Sequence, residues 1–432
     1  MNVALAPSER LLLAGPGKVA PRNLAGHVAT HGVLNVPAGD DGAWSSGIFR
    51  AVAESGLLGR GGAGFPAAAK WDAVRRTSRR PMVVVNAMEG EPASDKDRVL
   101  LTFAPHLVLD GAEVAAAVIG APEIVVCVAD DRGPAASSIE DAIAERAHAG
   151  AGFRRISVER PPGRYVTGEE SALVGWLNDR RAFPQQRLDK SIPLKVGRRP
   201  ALVHNAETLS QLALIVRHGP EWFRQLGSAE APGTTLVTLT GAVRSPGVIE
   251  VELGTPVADI LDRAGVHTEL SAALVGGYGG AWLGASRLAT PLAPGPLADA
   301  GATFGVGVVV ALPATSCGIA ETARLARYLA GESAGQCGPC VFGLPAIATD
   351  LEQLAAGRAD AEVLDRIQAR ATTVEGRGGC RLPDGAIRMI RSGLTVFADD
   401  VASHLRGYPC PGHARPTVLT FPHAATTKRS VA

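Results

Sequence analysis

Aromatic side chains are scarce in this chain of 432 residues: Phe, Trp and Tyr make up 4% of it, which argues against an aromatic quinone pocket. An excess of one charge sign is missing too. The 43 Lys and Arg set against 42 Asp and Glu leave a net charge of +1, which excludes the basic surface of a general nucleic-acid binder. No hydrophobic run is long. Runs such as Val306 to Leu312 are far too short to span a bilayer, so no direct membrane insertion is expected. The start, Met1-Asn-Val-Ala-Leu-Ala-Pro-Ser-Glu-Arg10, puts no basic residues ahead of its apolar ones, and a cytoplasmic location is the expectation. Six cysteines over this length do not make the dense framework of a small secreted domain, so they read as thiols or metal ligands rather than bridges.

What is present is a large apolar fraction, 46%, over a length that divides into roughly two to four domains. The most informative stretch is Gly56-Leu-Leu-Gly-Arg-Gly-Gly-Ala-Gly-Phe-Pro-Ala-Ala-Ala-Lys-Trp71. Gly59, Gly61, Gly62 and Gly64 remove the Cβ atoms that keep a bulky anion off the backbone, and Arg60 and Lys70 put positive charge on either side. That is an anion cradle. A Gly-rich run standing alone is more often a surface turn, but two further stretches accompany this one. Val83-Val-Val-Asn-Ala-Met-Glu-Gly-Glu-Pro92 reads as a buried strand that stops in polar, turn-forming residues, where open α/β sheets bind ligands. Tyr165-Val-Thr-Gly-Glu-Glu-Ser-Ala-Leu173 repeats that pattern, a strand running into Gly168, Glu169 and Glu170 and then a helix start. The usual Gly-x-Gly-x-x-Gly fingerprint is not seen, because the glycine run precedes the clearest strand.

Taken in order, residues 1–48 are rich in Gly, Pro and Ala and read as an N-terminal arm with one amphipathic segment from Asn23 to His31. His27 and His31, spaced i, i+4, are expected to be a packed or solvated pair, since no third ligand is near. Residues 49–230 read as an α/β domain. Expected strands at 82–85, 124–129 and 156–160 alternate with helical patterns such as 112–119 and 137–149, which implies a largely parallel sheet. Residues 231–313 form a separate unit: 235–252 holds two alternating strands about a Pro-Gly turn, and Thr255-Pro256 starts a helix with Thr as N-cap. Gly276 to Gly280 reads as a turn in it. Residues 314–405 are helical, with helical spacing at 320–329, 344–354 and 387–397, and 406–432 form a tail. Cys410, His413 and His423 in that tail are too sparse to read as a metal site, and Cys127 reads as a core residue.

Arg60-Gly-Gly-Ala-Gly-Phe-Pro66, then Asn86-Ala-Met-Glu-Gly-Glu-Pro92, then Gly168-Glu-Glu-Ser-Ala-Leu173, in that order, resemble the NADH-binding flavoprotein (F) subunit of respiratory NADH:quinone oxidoreductase (complex I). The diaphorase subunits of NAD-linked hydrogenases and formate dehydrogenases share the pattern, and the similarity runs to about Val396. The resemblance implies an α/β, Rossmann-like FMN and NADH domain, then a β-grasp (ubiquitin-like) module, then a C-terminal helical iron–sulfur domain. It implies a flavin loop of Gly59, Arg60, Gly61, Gly62, Gly64 and Lys70, with Phe65 against NADH. It also implies site roles for Asn86, Glu89 and Glu91, for Gly168, Glu169 and Glu170, for Phe183 in Arg181-Ala-Phe-Pro184, and for Asn205 and Thr208. The chain departs from the family at Met88, Thr167 and His204, which stand where Asp, Cys and Asn are usual. Lys70, Asn205 and backbone N–H groups suit the phosphate and ribityl chain of FMN. Glu89, Glu169 and Glu170 would repel a phosphate and suit ribose hydroxyls or the nicotinamide carboxamide, although Glu169 and Glu170 also suit a helix start. No protein nucleophile is required, because the redox chemistry belongs to the flavin.

Glu332-Ser-Ala-Gly-Gln-Cys-Gly-Pro-Cys340, followed by Cys380 in Arg377-Gly-Gly-Cys-Arg381, is similar to the family's ligand set for a 4Fe-4S cluster. Ala334 stands at the first of the four cysteine positions, leaving Cys337, Cys340 and Cys380. Alanine cannot ligate iron. Four arrangements follow: a non-cysteine ligand on one iron, a three-iron species, Cys317 or Cys410 swinging in, or no cluster. The expected function is an FMN-dependent NADH dehydrogenase subunit, passing electrons from NADH through flavin and an atypical cluster to an electron-transfer protein subunit or a ferredoxin. The alternatives are a ferredoxin reductase, a hydrogenase or formate dehydrogenase diaphorase, and a degenerate scaffold without the cluster.

Overall fold

The structure, a computed structural model, describes residues 10, 23–37, 41–77, 80–150, 154–187, 189 and 192–422; His423 and the first nine residues lie outside them. Two helices, α1 (Leu24–His31) and α2 (Gly42–Ser55), precede the glycine loop, and α3 (Ala67–Arg75) follows it. Asn23 caps α1, its side chain accepting from Gly26 N–H. His27 is indeed packed, with Nε2 2.8 Å from Asp110 and its ring centre 5.1 Å from that of His31.

The chain then alternates: β1 (Met82–Ala87), α4 (Lys96–Phe103), α5 (Pro105–Ile119), β2 (Glu123–Val128), α6 (Gly133–His148), β3 (Arg155–Glu159), α7 (Glu170–Asp179), β4 (Lys195–Val196), β5 (Arg199–Asn205) and α8 (Ala206–His218). The strands form one sheet in the order β3-β2-β1-β5-β4, parallel except for the short β4. Runs such as Val83-Val-Val85 suit a strand buried on both faces. Val83, Val85, Ile124 and Val126 pack under α4, α5, α6 and α8, while Met82, Val84, Val125 and Cys127 pack under α7 with Leu173 and Val174. Every residue of α5 is buried. It crosses α8 so closely that a Cβ on Gly111 would lie 1.9 Å from the Leu209 carbonyl oxygen.

After the short α9 (Pro220–Phe223) a second sheet begins, built from β6 (Thr234–Gly241), β7 (Gly247–Glu252), α10 (Val257–Arg263), β8 (Leu270–Val275), β9 (Ala281–Gly284), α11 (Pro294–Asp299) and β10 (Val308–Pro313). Its order is β7-β6-β10-β8-β9, with β10 parallel to β6 and the other pairs antiparallel. Side chains alternate across this sheet. Val309 and Ala311 face the α10 and α11 core, and Val308, Val310 and Leu312 face the C-terminal helices α12 (Gly318–Gly331), α13 (Leu344–Ala355), α14 (Val363–Val374), α15 (Leu382–Val396) and α16 (Ala398–Leu405). Among the described residues no single helix is long and apolar enough to cross a membrane.

Two local expectations fail. Tyr165–Gly168 is one turn of 3-10 helix, not a strand. β3 ends at Glu159, and Pro161 and Pro162 have no N–H to continue a ladder, so the chain turns back with Thr167 N–H on the Arg164 carbonyl. Thr255 is not the cap of α10 either. The helix starts at Val257 after Pro256, and the Thr255 hydroxyl donates backward to the Glu252 carbonyl at 2.9 Å.

Candidate functional site

β1 and β5 are neighbours in the sheet although β2, β3 and β4 lie between them in the chain, so the strand order reverses there. Crevices at the carboxyl ends of strands beside such a reversal are where open α/β sheets bind ligands. Asn86, next to last in β1, and Asn205, the last residue of β5, are register partners. Asn205 Nδ2 donates to the Asn86 carbonyl at 3.1 Å and to Asp97 Oδ2 at 2.7 Å, while its Oδ1 caps α8 by accepting from Glu207 N–H at 3.1 Å. Asn86 Nδ2 donates to the Gly168 carbonyl at 2.9 Å, which ties the 3-10 turn to the same crevice.

The glycine loop closes over this point. Gly59 N–H donates to the Phe65 carbonyl and Ala67 N–H to the Leu57 carbonyl, both at 2.9 Å, pinching the loop at its base. Gly62 and Gly64 have φ of +108° and +61°, which L-residues with a Cβ rarely adopt. A Cβ on Gly61 would sit 3.4 Å from Asn205 Cβ, and one on Gly64 would meet nothing within 4 Å. The loop therefore presents bare backbone toward the crevice. Phe65 is 43% exposed on it. Lys70, one turn into α3, reaches Glu170 Oε2 at 2.8 Å and the Val203 carbonyl at 2.9 Å.

Other expected site residues are placed differently. Arg60 is 2% exposed, with Nε 3.8 Å from Glu207 and NH2 donating to the Thr234 carbonyl, so its charge is spent inside the protein and does not flank the cradle. Thr208 accepts Arg60 N–H at 2.9 Å and anchors the loop to α8. Glu169 accepts from Ser171 and Ala172 N–H at 2.9 Å and caps α7. Glu89, at a φ of +45°, accepts from Asp97 N–H, Arg98 N–H and the Ser94 hydroxyl, capping α4; burial and Asp97 push its pKa up to about 7. Phe183 lies beside α7, where its carbonyl would be 3.1 Å from a Cβ on Gly175.

Lys96 was not anticipated. It is fully buried, bonded to Asp97 Oδ1 at 2.8 Å and Asn205 Oδ1 at 2.9 Å, with Glu207 3.1 Å away. Burial alone would lower its pKa, but Asp97 and Glu207 outweigh that and hold it above its ordinary value. The available signal was a Lys-Asp pair opening an apolar helix, which reads equally well as a solvated first turn.

Cys337, Cys340 and Cys380 line one cavity with Ala334 and Val166. Gly379 N–H points at Cys337 Sγ at 3.4 Å. Burial, with neighbouring thiols adding to it, pushes Cys340 and Cys380 up to about 11. The loop carrying Cys337 is fastened to the crevice side: Tyr165 N–H donates to Glu332 Oε2 at 2.9 Å and Gln336 Nε2 to the Pro184 carbonyl at 2.5 Å. Cys317 and Cys410 are not in this cavity. Cys317 is the N-cap of α12, a helix whose 14 residues put about 20 Å between it and the Cys337 loop, and Cys410 N–H is bonded to His404 nearby. Neither thiol replaces the one missing at Ala334.

A crevice at a strand-order reversal and a thiol-lined cavity, held together by one short turn, suit an electron-transferring oxidoreductase. Comparison with known proteins agrees. Residues 52–214 match the Nuo51 FMN-binding domain, 236–277 the SLBB domain and 320–404 the NADH-ubiquinone oxidoreductase-F iron-sulfur binding region. The second NADH-quinone oxidoreductase F-subunit of Rhizobium meliloti (strain 1021) is 32% identical over 383 residues, 85% of this chain and 90% of that one. The NADH-quinone oxidoreductase F-subunit of Mycobacterium tuberculosis (strain ATCC 25618 / H37Rv) is 31% identical over 413 residues, 91% of each. A chain of the NAD+-reducing NiFe hydrogenase in its air-oxidized state superposes with a TM-score of 0.80 at 29% identity, over 92% of this chain and 70% of that one. The chain belongs to the family of NADH-quinone oxidoreductase F-subunits, and is an oxidoreductase component with an FMN domain and an iron–sulfur binding region.

Proposed function

We propose that the β1/β5 crevice holds FMN and receives NADH, and that Cys337, Cys340 and Cys380 hold an iron–sulfur cluster beside it, serving a protein acceptor. The donor set suits the flavin: Gly61, Gly62 and Gly64 leave a bare backbone cradle, Lys70 brings an ammonium, and Asn86 and Asn205 bring amides. Phe65, Phe183 and Glu170 take the nicotinamide cofactor, the exposed phenyl ring of Phe65 offering an apolar face. Arg60, Thr208, Glu89 and Glu169 are positioning residues that pin the loop and cap the helices around the crevice. When bound, FMN accepts hydride from NADH and the cluster carries single electrons.

The thiol cavity suits a cluster held by three thiolates. Its fourth side carries the Ala334 methyl, beside Ser333, whose hydroxyl accepts Gly335 N–H at 2.9 Å. The second sheet is read as a β-grasp module acting as a spacer, because its order places the parallel strand β10 between β6 and β8. It touches the crevice side at several points, among them Gly62 bridging Gly305, Tyr278 N–H donating to Glu91 Oε2 at 2.8 Å, and Thr235 and Leu236 of β6 donating to Glu207 Oε1 at 2.9 Å. The domains divide near residues 230, 313 and 405 on this reading.

Support comes above all from the turn Tyr165–Gly168. Asn86 holds its Gly168 carbonyl at the crevice, and Val166 lines the thiol cavity, so the two sites share one turn of backbone. The absorption spectrum of anaerobically purified protein, before and after NADH, tests the proposal. Flavin bands that bleach with NADH over a broad cluster shoulder are expected; a colourless protein makes the chain a scaffold. The likeness to the NAD+-reducing hydrogenase favours a second reading of the acceptor, a hydrogenase-type partner, which a tagged chain would co-purify from its native cells.

A further inference from the structure

We propose that Cys317, His404 and Cys410 form a zinc site, separate from the iron–sulfur ligands, that ties the C-terminal segment onto the helical region. The donors come from three places: the N-cap of α12, the last turn of α16 and the segment after it. Cys317 Sγ, Cys410 Sγ and one His404 ring nitrogen lie within 4.8 Å of one another, and Cys317 Sγ is 3.5 Å from His404 Nε2. In a tetrahedral site with Zn–S of about 2.3 Å and Zn–N of about 2.0 Å, sulfur and nitrogen ligands stand about 3.5 Å apart. This pair is already at ligand spacing.

His404 is oriented as a ligand. It is completely buried, and its Nδ1 faces the carbonyls of Ala355 at 2.9 Å and Leu354 at 3.2 Å. A nitrogen facing two acceptors carries the proton, which leaves the Nε2 lone pair for the thiol side; a metal-bound histidine is fixed by the same kind of outer contact. That lone pair accepts Cys410 N–H at 3.1 Å, a contact that ligation would replace. The Cys410 segment is also built to approach. A Cβ on Gly412 would lie 2.6 Å from the Thr315 carbonyl oxygen and 2.7 Å from Cys317 N, so only glycine lets the segment rest on the Cys317 loop.

Two thiolates and an imidazole in a tetrahedral frame select zinc among the common divalent ions. Water completes the set, or His413, whose ring centre is 6.5 Å from that of His404. The tether has something to hold. Beyond it Thr417 donates to Glu321 Oε2 at 2.6 Å, Leu419 is buried, and Phe421 packs on Tyr278 and Tyr328 with ring centres 5.7 and 5.5 Å apart. Tyr278 donates its backbone N–H to Glu91, so the tethered segment braces the contact between the second sheet and the crevice side.

The test measures zinc, iron and flavin together on reduced, anaerobically purified protein, with Cys410→Ser and Cys380→Ser beside the original. Expected are about one zinc per chain in the original and in Cys380→Ser, and a loss of tenfold or more in Cys410→Ser with its flavin and iron kept. Trypsin should then cut after the exposed Arg406, between His404 and Cys410, faster in Cys410→Ser, and equally in the original after chelation, with protection returning on added zinc. Zinc that survives Cys410→Ser but vanishes in Cys380→Ser sits on the other thiols and overturns the proposal. So does an original protein that takes up no zinc when it is supplied, or a Cys317–Cys410 disulfide found in its unreduced peptides.

Discussion

Lys70 Nζ lies 2.8 Å from Glu170 Oε2 and 2.9 Å from the Val203 carbonyl, so the helix after the glycine loop and the start of α7 meet at the end of β5. Both side chains are about a quarter exposed, where an ion pair contributes roughly 0.2–1 kcal/mol. Their pairing is therefore a matter of placement more than of stability. It holds the Lys70 ammonium at the end of β5 while leaving both groups partly open to solvent.

Lys70→Ala should weaken FMN retention about tenfold, near 1.4 kcal/mol, with the melting temperature almost unchanged. Glu170→Ala should instead slow NADH-dependent flavin reduction and leave bound flavin nearly constant. Flavin content by absorbance and stopped-flow reduction separate the two; loss of flavin in Glu170→Ala without loss of NADH response would put Glu170 on FMN.

Gly61→Val tests the cradle without backbone strain, since Gly61 does not need a positive φ and its Cβ would point at Asn205 Cβ from 3.4 Å. The branched side chain narrows the gap between loop and strand end. Flavin occupancy should fall at least tenfold, about 1.4 kcal/mol. A Gly61→Val protein that purifies with full flavin removes the loop from the flavin site.

Glu91 predicts a pH effect. Burial raises its pKa to about 7, with the hydrogen bonds from Tyr278 and Ala93 N–H opposing that. A carboxyl raised in the folded state binds its proton more tightly there than in the unfolded chain. Its contribution to stability is complete below the ordinary carboxyl range and is lost as pH rises toward and through 7. Glu91→Gln removes the titration, so its stability relative to the original should improve between pH 4.5 and 8, by about 3 kcal/mol at most. Urea unfolding across that range checks it; a constant difference between the two proteins refutes the assignment.

Ala334→Cys should supply the fourth thiolate to the cavity that Cys337, Cys340 and Cys380 line. The original should show a cluster that loses iron readily to a three-iron form, and the variant a stable four-iron cluster at a different potential, since ligand set and exposure tune it. Iron and sulfide content with electron paramagnetic resonance compare them. No iron in the original together with a full cluster in Ala334→Cys would make this a flavin diaphorase without a cluster.

Much of the fold is legible locally. Val83-Val-Val85 and the alternation at Thr235 to Glu252 declare β1, β6 and β7 by period and composition, and the helices around 320–329, 344–354 and 387–397 show their spacing. The 3-10 turn at Tyr165 was hidden, because β-branched and aromatic residues after Pro161-Pro162 look like a strand until the neighbouring strand has no place for one. Glu89, Glu169 and Thr208 matched a ligand-binding pattern, yet their polar atoms satisfy helix termini and the loop base, a choice visible only once the acceptors' neighbours are known.

By itself the sequence determined the order of the three motifs, the glycine density of the cradle and the absence of a cysteine at Ala334, since these are properties of residue identity and local spacing. Only the tertiary structure decided which charges reach the crevice. Arg60 and Lys70 stand ten positions apart in one segment, but Arg60 turns inward to Glu207 and Lys70 outward to Glu170, because the partners that decide each direction lie roughly a hundred residues away or more. The same reason kept Cys317, His404 and Cys410 apart in sequence and brought them together in space: their meeting depends on α12, α13 and α16 packing in one core, which no local pattern encodes.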